Sequence, residues 1–315
     1  MRKIHVLSVV ICLALAGFGQ ASAQSNSTDQ STSTSKMMNS TMTMPRIIWI
    51  YREEVKPART SAHDKVEQGF AQLWASLKVQ PFIGMEAVSG NASEALFISG
   101  YDSFATYDKD FQIFMNASNG SKRMEMEQLE KQEADLVNGV RSVIATYRPD
   151  MSYLADRFMN DLPRSRYIQI ETMRVRQGKD DSLAEGAKMF LDAYQKAGIQ
   201  HPWVIYQVLS GSPAGTYMVF TPMNSMKDMD DELTMHQKVA EAMGEEKMKD
   251  MMKGSGEIFS FIERDIYSFN PKISHVSQEF AAMDPEFWGP QTRTLARTAA
   301  TEARTPKSTK KSPNK

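Results

Sequence analysis

Cysteine is almost absent from this chain. The one cysteine, Cys12, lies inside the apolar run of residues 6–18. A chain that has shed that run has no thiol, which excludes disulfide staples, cysteine nucleophiles and cysteine-bound metals. A lipid anchor on Cys12 is excluded as well, because bulky Ile11 stands where a small residue is wanted. Long hydrophobic runs are equally scarce. The run at 6–18 falls short of the ~20 residues a helix needs to cross a bilayer, no later stretch qualifies, and no membrane span is expected. Neither sign of charge dominates: 37 Lys and Arg stand against 38 Asp and Glu, a net charge of −1. That balance names no partner, and nucleic-acid binding is not indicated. The spacings HExxH and HxH are missing, the Ser-Gly turns and Gly254-Ser255-Gly256 lack the spacing of a phosphate loop, and no Ser-His-Asp order can be argued. Nucleotide binding is therefore not indicated; the cofactor is left open, with none as the leading expectation and haem or copper as the alternative.

What is present begins with export. Arg2 and Lys3 precede the apolar run, and Ala21-Ser22-Ala23 supplies small residues before Gln24, so residues 1–23 are expected to be a signal peptide and the protein secreted or periplasmic. Residues 24–45 are a Ser/Thr/Met-rich linker. Its Met37, Met38, Met42 and Met44 are soft thioethers of the kind that suit Cu(I), or simply part of a low-complexity tether. At the other end, residues 276–290 form an extension in which Phe287 and Trp288 are expected to tuck against the body. Residues 291–315 are a basic disordered tail, with Arg293, Arg297, Arg304, Lys307, Lys310, Lys311 and Lys315 facing only Glu302; contact with an anionic envelope polymer or nucleic acid is the functional alternative to a merely solvated tail.

Between these ends the chain is written twice. Residues 81–99 and 202–220 share a proline before an aromatic (Phe82, Trp203), an apolar run, a Ser-Gly pair and a second apolar run, which is strand, turn, strand. Around them the order β-α-β-β-α-β fits residues 46–155 and again 166–275. In the first copy RIIWIYREE is the opening strand; Val66, Phe70, Leu73, Trp74 and Leu77 make a helix stripe; Phe104, Tyr107, Phe111 and Phe114 share another; residues 122–139 form a further helix; and 142–147 close the unit. In the second, RYIQIETMRVR opens, Met226, Met229, Leu233 and Ala240 mark a helix, another runs through Met251 to Phe259, and 264–269 close the unit.

This order, the doubling and the two Ser-Gly turns resemble the dimeric α/β-barrel superfamily of ferredoxin-like domains, with its antibiotic-biosynthesis monooxygenases, NIPSNAP-type proteins and haem-degrading monooxygenases. The resemblance covers residues 46–275. It implies an α+β fold in which two tandem ferredoxin-like units pack sheet to sheet as an intrachain pseudo-dimeric α/β barrel, in a monomer or homodimer. It also implies a small molecule held between the sheets, by a binding or scaffold protein or, alternatively, by a cofactor-independent monooxygenase. The Asn that haem-degrading members carry on the first strand is absent from both opening strands.

Strand alternation then divides the candidate residues. Ile48, Ile50, Ile83, Met85, Ile168, Ile170, Val204 and Val208 are expected to face the helices. The opposite set, Trp49, Tyr51, Glu53, Phe82, Phe97, Gln169, Glu171, Trp203 and Gln207, is expected to line the space between the sheets as ligand-binding residues, with Glu86 as a general base. The alternative is that these carboxylates are solvated or paired with Arg52, Arg174 or Arg176. His236, one turn after Glu232, is the candidate haem or metal ligand; the bland reading is a histidine at a helix boundary. His63, His201 and His275 have no partner at metal-ligand spacing. The methionines between Met223 and Met252 are read as adaptable packing.

Overall fold

Period-two alternation on two opening strands requires a sheet with two distinct faces, and the chain resolves the demand by closing the sheet on itself. The structure, a computed structural model, describes residues 42–289. The first half comprises β1 (Ile47–Val55), α1 (Thr60–Leu77), β2 (Phe82–Ala87), β3 (Glu94–Tyr101), α2 (Phe104–Asn119), α3 (Arg123–Ala134) and β4 (Val137–Tyr147). After the short α4 (Ala155–Asp161), the second half repeats the order as β5 (Tyr167–Val175), α5 (Asp180–Lys196), β6 (Val204–Ser210), β7 (Thr216–Met223), α6 (Asp228–Met243), α7 (Glu245–Ile258) and β8 (Phe259–Phe269). Two short helices, α8 (Gln278–Ala282) and α9 (Pro285–Trp288), follow. The expected signal peptide, residues 24–41 of the linker and the basic tail lie outside the described residues. Among the described residues no helix is long and apolar enough to cross a membrane.

Eight antiparallel strands close a barrel in the order β1-β3-β2-β8-β5-β7-β6-β4. Each half keeps its own four strands together, and the halves meet at two short seams, β2 with β8 and β4 with β6. The same side-chain exchange ties both seams: Asn270 donates to Glu86 at 2.9 Å across one, and Arg148 donates to Gln207 at 2.8 Å across the other. Register also fixes which positions of the halves correspond. Tyr51 of β1 lies opposite Ser142 of β4, as Glu171 of β5 lies opposite Arg264 of β8.

The barrel interior is apolar. Ile48, Ile50, Met85, Ile168, Ile170 and Val204 pack there in one cluster with side chains from the other strands, including Leu96, Phe220 and Phe269. This inverts the expected facing: the residues assigned to the helix side fill the barrel, and the mixed aromatic and polar set points outward beneath the helices. The cause is closure. A barrel of this strand number has an interior only wide enough for side chains to fill, and eight strands contribute large apolar groups with no solvent to share it, so polar partners would be left unsatisfied there.

The two ends of the barrel differ. At one end Arg52, buried, donates to Glu94 and, at 2.9 Å, to the Tyr267 hydroxyl, while Arg141 donates to Glu94 at 2.7 Å. At the other an apolar hollow of about 360 Å³ lies among Met42, Met44, Phe158, Phe220, Phe269 and Phe280. The end of the linker borders it, with the Pro45 carbonyl accepting from the Tyr206 hydroxyl at 2.8 Å. The terminal extension docks as expected: Trp288 is buried against Phe280 and donates to the Pro163 carbonyl, while Arg166 pairs with Asp284.

Three boundaries differ from the sequence reading. The helix expected at 122–139 ends at Ala134, β4 starts at Val137 instead of 142, and β8 starts at Phe259 instead of 264. The added strand ends carry polar and exposed residues such as Asn138, Arg141 and Glu263, but these segments pair with β1 and β5, with register shifts at Val55 and Val175, so backbone pairing rather than burial defines them. Leu233, assigned to the apolar stripe of α6, is 62% exposed, and Glu232, Met235, His236 and Val239 turn toward the sheet in its place.

Burial alone would raise the Glu94 carboxyl, but Arg52, the Tyr267 hydroxyl and Arg141 together hold it below its ordinary value of 4.5. A carboxyl whose folded value is lowered contributes stability that is full above its unfolded value and is lost as pH falls through the folded one. Glu94→Gln should cost about 3 kcal/mol at neutral pH, because it strands a buried guanidinium, and should flatten the loss of stability below pH 4.5. Urea unfolding of wild type and variant across that range measures both.

Candidate functional site

Residues on the outer face of β1, at 49, 51 and 53, project toward α1, and the helices roof them unequally in the two halves. In the first half the outer sheet face and α1, α2 and α3 enclose a cavity of about 560 Å³. Ten of its eighteen lining residues are aromatic and five are acidic: Glu53, Glu67, Asp110, Glu130 and Glu133. Among the described residues, no lysine or arginine lines it. Trp49 packs beside Tyr51 at 5.5 Å and edge-on to Tyr107 at 6.5 Å, and Trp74 lies 5.5 Å from Phe114. The aromatic face expected on α2 exists, but it roofs this space without burying itself: Phe111 and Phe114 line the cavity and stay exposed.

At the inner end stand Glu53, His63 and Glu67, which are 2%, 1% and 6% exposed. His63 Nε2 lies 2.6 Å from Glu53 Oε2 and 4.0 Å from Glu67 Oε1, and one donor atom from each residue lies within 4.8 Å of the others. His63 and Glu67 share one face of α1 because they are four residues apart. Among the described residues, Glu67 Oε1 is buried with no hydrogen-bond partner. Burial first, then the charges of Glu53, Glu133 and Asp64, push the Glu67 carboxyl well above its ordinary value. Burial and Glu53 push Glu133 up to about 8, and burial and Glu86 push Asp64 up to about 6. At the cavity itself Glu67 and Glu133 are thus carboxyl groups that, with Glu53, resist ionising together.

The corresponding space in the second half is a pocket of about 20 Å³, room for a single water. Arg264 fills it. Its guanidinium binds Glu171, with Nε 2.9 Å from Oε2, and lies 3.7 Å from Glu232. Where Arg264 stands, the first half has Ser142, and where Glu171 stands it has Tyr51. Trp203 completes the filling, stacked on Tyr153 at 4.9 Å and edge-on to Tyr194 at 4.3 Å.

The candidate residues therefore separate into three places. Trp49, Tyr51, Glu53, Phe82 and Phe97 meet in the large cavity. Gln169, Glu171 and Trp203 meet His236 in the small one. Glu86 and Gln207 lie in neither, being the seam residues bonded to Asn270 and Arg148. None of the set lines the barrel interior except Phe82, which borders its apolar hollow. His236 is 3.4 Å from Glu232, as the spacing of one turn implies, but a pocket of about 20 Å³ leaves no room for a haem.

No family model matches this chain, and no curated protein matches it. Solved structures with a similar course of backbone include a candidate monooxygenase from Fusobacterium nucleatum (9% identity, 72% of this chain and 94% of that one, TM-score 0.46). An anthrone oxidase-like protein (10%, 71% and 91%, 0.44) and a mutant chlorite dismutase from Candidatus Nitrospira defluvii (8%, 73% and 94%, 0.42) are also among them. These likenesses are of backbone shape, and the functional reading rests on this chain's own residues.

Sequence reasoning missed His63 and Glu67, setting the histidine aside as unpartnered. A signal was available. Aligned on the two opening strands and the helices that follow, Glu53, His63 and Glu67 stand where the second half has Met173, Leu183 and Ala187, which pack together in an apolar core with at most 1% exposure. The second half therefore demonstrates that an apolar trio suffices for folding. Glu53→Met/His63→Leu/Glu67→Ala should raise stability by about 1–4 kcal/mol, the gain seen when packed hydrophobes replace buried charges, in equilibrium urea unfolding at pH 7.

Proposed function

We propose that this is an exported small-molecule-binding protein whose ligand occupies the cavity between the first-half sheet and its helices. The observation that carries the reading is the contrast between the two halves: one scaffold supports an open cavity of about 560 Å³ and a filled one of about 20 Å³. The open one has the size of small-molecule sites. Its aromatic walls favour a flat, apolar ring system, and its carboxylates with no facing cation favour a basic group on that ligand, held by ion pairing and by the faces of Trp49 and Tyr107. Export rests on residues 1–23. The two halves are read as a tandem duplication of one ferredoxin-like unit, in which one copy kept its cavity and the other filled it with Arg264.

A second reading, an oxygenase-like enzyme that needs no cofactor, draws on Glu133. With its carboxyl pushed up to about 8 beside an aromatic cavity, it is poised to exchange a proton with a bound phenol or enol near neutral pH. Glu86 does not border the cavity, so the role of general base passes to Glu133.

Quenching of Trp49 and Trp74 fluorescence by matched pairs of aromatic amines and aromatic carboxylates tests the binding reading. Amines should bind at least about tenfold more tightly, a difference of about 1.4 kcal/mol. Tyr51→Glu/Ser142→Arg, which copies the Glu171–Arg264 pair into the first half, should close the cavity and abolish the signal while the chain stays folded. Equal affinity for both ligand classes, or undiminished binding by the double variant, would sink the reading. Oxygen uptake with a bound phenol that Glu133→Gln abolishes would favour the enzyme.

A further inference from the structure

The inner end of the first-half cavity holds more donor chemistry than ligand recognition alone requires. A purely structural role for Glu53, His63 and Glu67 is poorly motivated, since Met173, Leu183 and Ala187 occupy the equivalent positions of the second half within a buried hydrophobic cluster. The trio also leaves a debt unsettled. Glu67 Oε1, on a residue 6% exposed, lies 4.0 Å from His63 Nε2 and has no hydrogen-bond partner among the described residues. A buried oxygen in that state is destabilising unless a further group completes it.

We propose that Glu53, His63 and Glu67 bind one divalent first-row metal ion of the zinc class at the closed end of the cavity. The donor set is one imidazole nitrogen and two carboxylate oxygens, which suits zinc and its neighbours and is too rich in nitrogen for calcium or magnesium. Metal–nitrogen and metal–oxygen bonds of about 2.1 Å require donors no more than about 4.2 Å apart. The three donor atoms already lie within 4.8 Å of one another, so side-chain shifts below 1 Å suffice, with the His63–Glu53 contact opening as the ion replaces the proton between them. Glu53 and Glu67 both border the cavity, which leaves the outward side of the ion open to a water or a ligand atom. Glu133 lines the same cavity as Glu53 and Glu67. The site goes beyond the organic-ligand reading, because it forms from residues at the cavity's end whether or not the aromatic walls are occupied.

The test uses the full chain, stripped with a chelator, dialysed against Zn²⁺ and analysed for bound metal, with calorimetry for affinity and Co²⁺ substitution for a visible d–d spectrum. The expected result is one ion per chain and an unfolding temperature that rises on loading. Glu67→Gln should weaken binding by at least the roughly 100-fold that loss of even a supporting partner can cost. Glu53→Met/His63→Leu/Glu67→Ala, which copies residues the second half folds with, should bind no ion and show no thermal shift. His236→Ala should bind as wild type does. Failure of wild type to retain an equivalent, retention of the ion by the triple variant, or loss of it on changing His236 alone would each overturn the proposal. Tyr51→Glu/Ser142→Arg separates the two readings, since it abolishes binding of aromatic amines and leaves the metal in place.

Discussion

Closure of the barrel sets the terms for every other part of the molecule. Eight strands paired edge to edge in a closed ring have no free edge, and their inner faces enclose a space that side chains must fill. Isoleucines 48, 50, 168 and 170, together with Phe220 and Phe269, fill it with apolar bulk. The polar groups tolerated inside are those able to satisfy one another, as Arg52, Glu94 and Tyr267 do at one end. Glu53, Gln169 and Glu171 lie instead on the outer face, where helices and not a second sheet decide their surroundings. The outer spaces lie between sheet and helices, one in each half.

The two outer spaces show how few residues separate a core from a cavity. An arginine opposite a glutamate fills one, and a serine opposite a tyrosine leaves the other open. The helical layer magnifies the difference. Phe190, Tyr194 and Trp203 close over the second-half sheet at full burial, whereas in the first half Phe111 and Phe114 of α2 stay exposed at the cavity wall. Ordinary core packing would bury those aromatics. Their exposure, with a trio of polar residues where the other half has methionine, leucine and alanine, concentrates unsatisfied chemistry in one place on an otherwise well-filled scaffold.

Much of the architecture was legible in the residues. Two opening strands of matching alternation, two prolines each followed by an aromatic, and two Ser-Gly turns gave the strand order of both halves, because strand and turn chemistry are local. Strand ends at 137–141 and 259–263 were not legible, since their residues carry no burial pattern and are held by pairing with β1 and β5. The site was half legible. Trp49, Tyr51, Glu53, Phe82 and Phe97 were recognised as a set, but His63 and Glu67 were hidden because a stripe sought through apolar residues begins only at Val66.

By itself the sequence determined which residues share a face, since a strand's period of two and a helix's four-residue neighbours follow from backbone geometry alone. Only the tertiary structure decided which face looks inward. That choice depends on closure, which brings residues more than a hundred positions apart, such as Ile50 and Ile170, into one interior. It also depends on whether the residue facing a given gap is long enough to fill it, as Arg264 is and Ser142 is not.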